Sequence, residues 1–400
     1  VFGLTMPVTK HNYQLRSAAE IPQVFQEAFH LARTGRRGPV LIDIPKDVQN
    51  QELDFAYPET PPSLPGYKPV GPVTPAAVAD VAAALARAER PLLFAGGGVI
   101  AAGAGEALRE LAEKADIPVV VTLMGLGALP ADHPLFLGMA GMHGTYAANR
   151  ALAEADVLLA VGMRFDDRVT GKLERFAQNT TVIHIDIDAA EIGKNVSVEL
   201  AVVGDAREAL RALLPQVESR EHREWRRRLR TWQLRHPLRY HPPQSGLAPQ
   251  EVVQEAARVL GEQPVIVTTG VGQHQMWAAQ FYPFRTPRTL ITSGGLGTMG
   301  FGLPAAIGAQ VGRSDCRVLC IDGDGSFQMT CYELATAVSQ RLPVIVLILN
   351  NGYLGMVRQW QELFYGRRYA YTDLEAGSPD LVRLAEAYGA LGLRVRERSE

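Results

Sequence analysis

Two apolar runs, each ending in polar residues, constrain the fold of this chain more than any other feature. Residues 318–321 predict a buried strand, which stops at Asp324 within the sequence Asp-Gly-Asp-Gly. Residues 344–349 predict a second buried strand, which stops at Asn351 after a helical stretch. Strands joined in this way are usually parallel, and their carboxyl ends meet at the edge of the sheet where ligands bind. We therefore expect Asp324 and Asn351 to lie side by side.

The chemistry of these two side chains suits a magnesium ion. Mg²⁺ prefers hard oxygen ligands in an octahedron and completes its shell from phosphate and water. Asp-Gly and Asn-Gly are also common turn pairs, so either half of the pattern alone fits an ordinary turn. Both halves together, each closing an apolar strand, favour a site for a metal ion and a diphosphate.

The bulk composition indicates a globular protein and gives no sign of a membrane or nucleic-acid partner. The 400 residues exceed one typical domain, and a net charge of −2 gives no electrostatic reason to expect nucleic acid or an anionic membrane as partner. No run of residues is long and apolar enough to span a membrane. Cys316, Cys320 and Cys331 are expected to be buried, reduced thiols, which agrees with a reducing, cytoplasmic location.

The order of strand and helix signals predicts a multi-domain α/β protein with parallel sheets flanked by helices. The two ends look cut, and the chain divides as follows: 1–50, the tail of an N-terminal α/β domain; 51–72, a linker; 73–215, a central α/β domain; 216–247, a charged linker helix; 248–400, a truncated last α/β domain. In the charged helix, Trp225, Leu229 and Trp232 recur at helical spacing. This stripe is expected to pack on neighbouring elements while the arginines face water.

Several longer segments narrow the family. Gly-Asp-Gly, 24 further residues and Asn-Asn resemble the signature of thiamine-diphosphate enzymes. Six segments resemble the large, catalytic subunit of acetolactate synthase (acetohydroxyacid synthase), and the similarity runs through nearly the whole chain: 9–13, 38–47, 164–171, 270–277, 293–308 and 351–361.

The resemblance implies an activity and an assembly. Such enzymes have a thiamine-diphosphate-binding fold and a central Rossmann-like FAD domain. They decarboxylate pyruvate on thiamine diphosphate and condense the hydroxyethyl carbanion with pyruvate or 2-ketobutyrate, in branched-chain amino-acid synthesis. They form dimers or tetramers and pair with a small regulatory subunit. The glutamate that activates the cofactor belongs to the N-terminal domain and has no counterpart here, so this stretch alone is expected to be inactive.

The resemblance also assigns residues to the thiamine site. It implies that Mg²⁺ is held by Asp324, Asn351 and the main-chain carbonyl of Tyr353. It places thiamine diphosphate against these same two side chains and against Gly272, Gln273, His274, Gly297, Met299, Gly323, Gly325, Ser326 and Met356. Ser326 also suits an ordinary helix start.

Four side chains are predicted to serve the reaction itself: Met299, Met356, Trp360 and Arg168. The resemblance implies that Met299 supports the bent cofactor and that Trp360 favours 2-ketobutyrate as acceptor, while Arg168 is the candidate for the substrate carboxylate. A methionine or a tryptophan at helical spacing is also common as core filler.

A second cofactor is predicted in the central domain. Gly96 to Ala101 fits Gly-x-Gly-x-x-Ala after a strand, but the next strand lacks the acidic residue that NAD would need. Ligand-friendly residues spread over many strand ends favour a longer molecule. The resemblance assigns FAD to Gly96, Gly97, Gly98, Thr122, Leu123, Met124, Met142, His143, Gly162, Arg164, Asp166, Arg168, Asp186 and Asp205.

Other interpretations stay open at this point. Arg164 and Arg168 also suit local salt bridges with Asp166 and Asp167, and His143 suits a turn. Met6 stands where some relatives of the family have an arginine near the flavin. The alternative functions are another FAD and thiamine-diphosphate enzyme, such as pyruvate oxidase or glyoxylate carboligase, and a cofactor-binding module without catalysis.

Overall fold

The computed structural model describes residues 1–261 and 263–400, and within them the strands form three parallel sheets. The first sheet pairs β1 (His11–Gln14) with β2 (Val40–Asp43). Three helices accompany it: α1 (Phe2–Thr5), α2 (Ile21–Arg33) and α3 (Lys46–Gln49). Residues 51–72, the predicted linker, contain no helix or strand.

The second sheet has six parallel strands in the order β5-β4-β3-β6-β7-β8. They are β3 (Pro91–Ala95), β4 (Val119–Val121), β5 (Phe136–Met139), β6 (Val157–Val161), β7 (Thr181–Asp186) and β8 (Leu200–Val203). The helices of this part are α4 (Pro75–Arg87), α5 (Gly97–Ala102), α6 (Gly105–Ala115), α7 (Tyr146–Glu154), α8 (Asp167–Thr170) and α9 (Ala206–Leu213). The strand order reverses between β3 and β6, which is where ligands bind in sheets of this type.

Burial explains why the central strands are apolar without alternation. Leu92, Leu93 and Phe94 of β3 are all fully buried. Leu93 belongs to the core on one face of the sheet, while Leu92 and Phe94 belong to the core on the other face. Both faces therefore need apolar side chains. The prediction of a parallel sheet covered on both sides is confirmed.

The charged segment forms helix α10 (Arg223–Arg235), which packs against the central sheet. Trp225 and Leu229 are buried there, and the Trp225 indole N–H donates to the carbonyl of Pro91 at 3.1 Å. Trp232 contributes a further partly buried face, with the Arg228 guanidinium 5.1 Å from its ring centre. The predicted apolar stripe is confirmed, and the proposed domain limits stay predictions.

The third sheet has four parallel strands in the order β10-β9-β11-β12. They are β9 (Val265–Thr269), β10 (Leu290–Thr292), β11 (Arg317–Gly323) and β12 (Ile345–Leu349). The helices of this part are α11 (Pro249–Leu260), α12 (Gln273–Phe281), α13 (Gly302–Gly312), α14 (Asp324–Gln328), α15 (Leu334–Ser339), α16 (Gly355–Phe364) and α17 (Leu381–Ala387). One continuous apolar core joins this sheet to the central part through α12.

The composition led us to expect free thiols and no membrane-spanning segment, and the structure bears on both expectations. Cys316, Cys320 and Cys331 are free thiols; the first two are buried and the third is half-buried. Burial raises the pKa of the Cys320 thiol, which lies in the middle of β11. Within residues 1–261 and 263–400, no helix combines the length and apolarity that crossing a membrane requires.

The loops that follow β3 and β6 touch backbone to backbone, and this contact requires glycine. A Cβ atom on Gly98 would lie 2.5 Å from the Cα atom of Gly162. A Cβ atom on Gly96 would collide with the Gly162 carbonyl oxygen. The glycine-rich end of β3 therefore has a structural role in joining the two strand ends.

We predict that Gly98→Ala lowers the free energy of unfolding by about 1–3 kcal/mol, because the added methyl group meets backbone that has little room to move. The matched control is Gly308→Ala in α13, where a Cβ atom would have no neighbour within 4 Å. That change is expected to raise stability by about 0.5–1 kcal/mol through lower chain entropy. Chemical denaturation of both variants measures their free energies of unfolding. Equal changes in the two variants would contradict a close contact between Gly98 and Gly162.

Candidate functional site

The neighbouring strands β11 and β12 bring the predicted metal ligands together. Gly323 pairs with Leu349, so Asp324 and Asn351 follow at the same edge of the sheet. Asp324 is 1% exposed, and its Oδ2 atom has no hydrogen-bond partner among the described residues. Burial raises the pKa of the Asp324 carboxyl, although nearby N–H groups, including that of Asn351, oppose this shift. Such a buried oxygen fits a site for a cation.

The loop after β12 is held in place by its own polar groups. The amide oxygen of Asn351 accepts a hydrogen bond from the N–H of Tyr353 at 3.1 Å, and its Nδ2 donates to Gln273 at 3.4 Å. The N–H of Leu354 donates to the Thr372 carbonyl at 2.8 Å. No cluster of three or more His, Cys, Asp or Glu residues suited to a metal occurs in the described ranges. A cation here would therefore combine the Asp324 carboxylate with amide, carbonyl and external oxygens, which suits Mg²⁺.

Ser326 ties the loops of this site together. Its Oγ atom accepts hydrogen bonds from the N–H of Gly300 at 3.0 Å and from the N–H of Val271 at 3.4 Å. The loops after β9, before α13 and after β11 therefore meet at one hydroxyl group. The hydroxyl hydrogen remains free to donate to a ligand.

Sequence reasoning missed one member of this region, Asp322. Its carboxylate is fully buried, and its Oδ1 atom lies 3.3 Å from Nε2 of His274. The His274 ring also packs on Gly323, where a Cβ atom would lie 2.6 Å from its Nδ1 atom. Gly302 leaves room for the other oxygen of Asp322, which a Cβ atom would approach to 2.7 Å. The only signal in the sequence was the doubled Asp-Gly.

The remaining residues predicted for the thiamine site fall into two groups. Met299 lies beside the metal loops, since its methyl group is 3.9 Å from the position of a Cβ atom on Gly325. Gly297, Met356 and Trp360 instead line a large cavity. Met356 and Trp360 reach it from helix α16.

This cavity has a volume of about 920 Å³ and lies between the central part and the third sheet. Such a volume is at the upper end of the usual range for ligand pockets, about 300–1,000 Å³. The predicted flavin residues that line it are Gly97, Gly98, Thr122, Leu123, Met124, Met142, His143, Gly162, Arg164, Asp166, Arg168, Asp186 and Asp205. Gly96 does not line it, because its Cα atom faces the backbone of Gly162.

The sequence left open whether Arg164 and Arg168 form local ion pairs, and the structure contains both pairs. Arg164 contacts Asp166 at 3.2 Å, and Arg168 lies 3.9 Å from Asp167. The Oδ1 atom of Asp166 is nevertheless buried without a hydrogen-bond partner in the described residues. Burial lowers the pKa of His143, and the charge of Arg168 lowers it further, so the ring is neutral near pH 7.

Sequence reasoning missed the arginines that line the cavity from the first part of the chain. Arg36 donates to Asp188 at 2.9 Å and to Glu191 at 2.6 Å. Arg33 and Arg37 line the same cavity. The pairing joins residues more than 150 positions apart in sequence, and no local pattern predicts such a contact.

Two protein-family models match the chain. Residues 78–213 match "Thiamine pyrophosphate enzyme, central domain". Residues 270–400 match "Thiamine pyrophosphate enzyme, C-terminal TPP binding domain". The first match covers all six strands of the second sheet, and the second covers the loops around Asp324.

Curated relatives extend over the whole chain. The acetolactate synthase large subunit of Corynebacterium glutamicum is 50% identical over 100% of this chain and 65% of its own length. The probable acetolactate synthase large subunit of Methanocaldococcus jannaschii is 48% identical over 98% of this chain and 68% of its own length. The acetolactate synthase isozyme 3 large subunit of Escherichia coli is 44% identical over 100% of this chain and 70% of its own length. The chain thus spans about two thirds of the length of these relatives, and it belongs to the acetolactate synthase large-subunit family.

Proposed function

We propose that the protein carrying this sequence is an acetolactate synthase. It would decarboxylate pyruvate and join the remaining two-carbon unit to a second 2-keto acid, pyruvate or 2-ketobutyrate. The observation that carries this proposal is the meeting of Asp324 and Asn351 at adjacent strand ends, with one buried carboxylate oxygen unpartnered among the described residues. The names of the relatives support the same reaction.

The residues around Asp324 fit Mg²⁺ and a diphosphate. Asp324, Asn351 and the Tyr353 carbonyl would hold the ion, while Ser326 and the N–H groups of Gly272, Gln273 and His274 would donate to phosphate oxygens. When bound, thiamine diphosphate supplies the carbon nucleophile and the electron sink that decarboxylation of a 2-keto acid requires. Asp324 and Ser326 are themselves buried, which strengthens the electrostatic contacts that their side chains would make.

The large cavity fits a long cofactor, and we assign it to FAD. Its glycine-rich walls at Gly97 and Gly162 allow close approach of a ligand, and Arg164 offers a planar donor to phosphate. The unpartnered oxygen of Asp166 is available to a hydroxyl or N–H group of the ligand. NAD is disfavoured because β4 ends without an acidic residue.

Part of the same cavity suits the acceptor substrate. Arg168, Met356 and Trp360 all line it. The Arg168 guanidinium would bind the carboxylate of the 2-keto acid, and the Trp360 indole would contact its alkyl group. An extra methyl group recognised in this way changes specificity by roughly 1–3 kcal/mol.

The assembly and location of the protein are also proposals. A homodimer or homotetramer and a small regulatory subunit follow from the family. The three free cysteines support a reducing, cytoplasmic location.

A first prediction concerns Asp324 without any activity measurement. The folded-state pKa of this carboxyl is raised, so its ionisation favours the unfolded chain. Its contribution to stability is therefore present at low pH and lost as the pH rises through the folded-state pKa. In metal-free protein near pH 7, Asp324→Asn is expected to unfold at a higher temperature than wild type.

Adding Mg²⁺ and thiamine diphosphate should reverse that order. Ligand at 100 times its Kd stabilises the wild type by about 2.7 kcal/mol, whereas the asparagine variant gains little. Thermal unfolding at pH 5 and pH 7, with and without the ligands, measures both effects. Equal stabilisation of the two proteins would contradict the metal site.

A second prediction concerns the reaction. In the full-length protein that carries this sequence, pyruvate alone should yield acetolactate and carbon dioxide without oxygen uptake, and Asp324→Ala should lower kcat/KM about 100-fold or more. The control is Asp315→Ala, whose exposed carboxylate forms an ion pair with nearby Arg313. Oxygen consumption would instead indicate an oxidase, and turnover of glyoxylate alone would indicate glyoxylate carboligase. A fully active Asp324→Ala protein would show that this carboxylate is not needed for catalysis.

A third prediction concerns the choice of acceptor. Trp360→Leu is expected to lower the preference for 2-ketobutyrate over pyruvate about tenfold, because the contact with the extra methyl group is lost. The matched control is Phe364→Leu, one helical turn away, whose ring touches Trp360 but does not line the cavity. Competition between the two acceptors gives the product ratio. An unchanged ratio in Trp360→Leu would exclude this role.

A further inference from the structure

The irregular segment after β6, residues 162–166, has an unusual backbone. It carries Gly162, Arg164 and Asp166, which line the large cavity, and its residues belong to no helix or strand. Phe165, in its middle, has φ = +48° and is 2% exposed. A bulky side chain in this left-handed region is strained, and such strain persists only where the surroundings hold it.

One support comes from the neighbouring strand. His184 in β7 is fully buried, and its Nε2–H donates to the carbonyl of Met163 at 2.9 Å. The ring also meets Phe165 edge to face, with centroids 5.1 Å apart. Its other nitrogen has no hydrogen-bond partner among the described residues, so the proton belongs on Nε2. Burial lowers the pKa of His184 and keeps the ring neutral.

The second support comes from the segment that follows β7. The Nδ2 group of Asn195 donates to the Arg164 carbonyl at 3.3 Å and to the Phe165 carbonyl at 3.1 Å. Three consecutive carbonyls, at residues 163, 164 and 165, thus each accept a hydrogen bond from one of two side chains. Side chains replace the secondary structure that this segment lacks.

We propose that His184 and Asn195 are positioning residues that hold this strained segment in the shape that binds a dinucleotide. Neither residue lines the cavity. They act by fixing the backbone from which Arg164 and Asp166 reach it. The inference rests on the FAD site proposed above and deepens it by naming the residues that shape the site.

The test measures FAD binding to protein stripped of flavin, through quenching of flavin fluorescence. His184→Leu removes the donor and is expected to weaken FAD binding about tenfold, which corresponds to about 1.4 kcal/mol. His184→Gln keeps an N–H donor at about the same reach and should stay within about threefold of wild type. Asn195→Ala should also weaken binding about tenfold, and it decides the question if His184→Leu fails to fold.

Two controls separate positioning from general damage. His222→Leu replaces another buried histidine, whose ring nitrogens have no hydrogen-bond partner in the described residues, and FAD binding should not change. Affinity for thiamine diphosphate should stay at the wild-type value in every variant.

Three results would overturn the inference. The first is wild-type FAD affinity in folded His184→Leu and Asn195→Ala. The second is a parallel loss of FAD and thiamine-diphosphate affinity, which would indicate loosening of the whole fold. The third is a wild-type protein that binds no FAD, which would overturn the FAD proposal and this inference together, while leaving the thiamine site untouched.

Discussion

The parallel pairing of β11 with β12 is the constraint on which the proposed chemistry depends. Its register places Gly323 opposite Leu349, so the residues that follow come together although a helix separates them in sequence. The Asp324 carboxylate is buried there, with one oxygen unpartnered among the described residues, which is costly for an anion. The fold thus holds a negative charge that a cation would stabilise, and Asn351 stands beside it with an amide oxygen.

The same logic acts at the central sheet. The six parallel strands of the central sheet end at one edge, and residues at or after their ends supply most of the cavity wall. The continuous core that joins this sheet to α12 and β9 fixes the two edges relative to each other. One cavity can therefore take residues from both parts of the chain, including Trp360 of α16. A flavin site and an acceptor site need not be separate.

The predictable part of this molecule is the part set by local pattern. Uninterrupted apolar runs gave the buried strands, and the residues after them gave Asp324 and Asn351. The family resemblance gave thirteen flavin residues that line the cavity. Contacts between distant segments were not predictable. Arg36 reaches Glu191, and Asp322 faces His274, through tertiary packing that no spacing encodes. Gly96 satisfied a ligand motif, yet its missing side chain serves the contact with Gly162. A glycine motif alone does not tell whether the glycine makes room for a ligand or for a neighbouring segment of backbone.

The distribution of unsatisfied carboxylate oxygens links the two proposed sites. Five such oxygens are buried without a hydrogen-bond partner among the described residues, on Asp166, Glu191, Glu251, Asp322 and Asp324. Four of these residues line the cavity or stand at the metal loops, and the fifth, Glu251, pairs through its other oxygen with Arg398. An unsatisfied buried oxygen costs free energy in the folded state, and four of the five lie where ligands are proposed to bind. Binding there returns the missing interactions, so cofactor affinity and the stability of the fold are coupled.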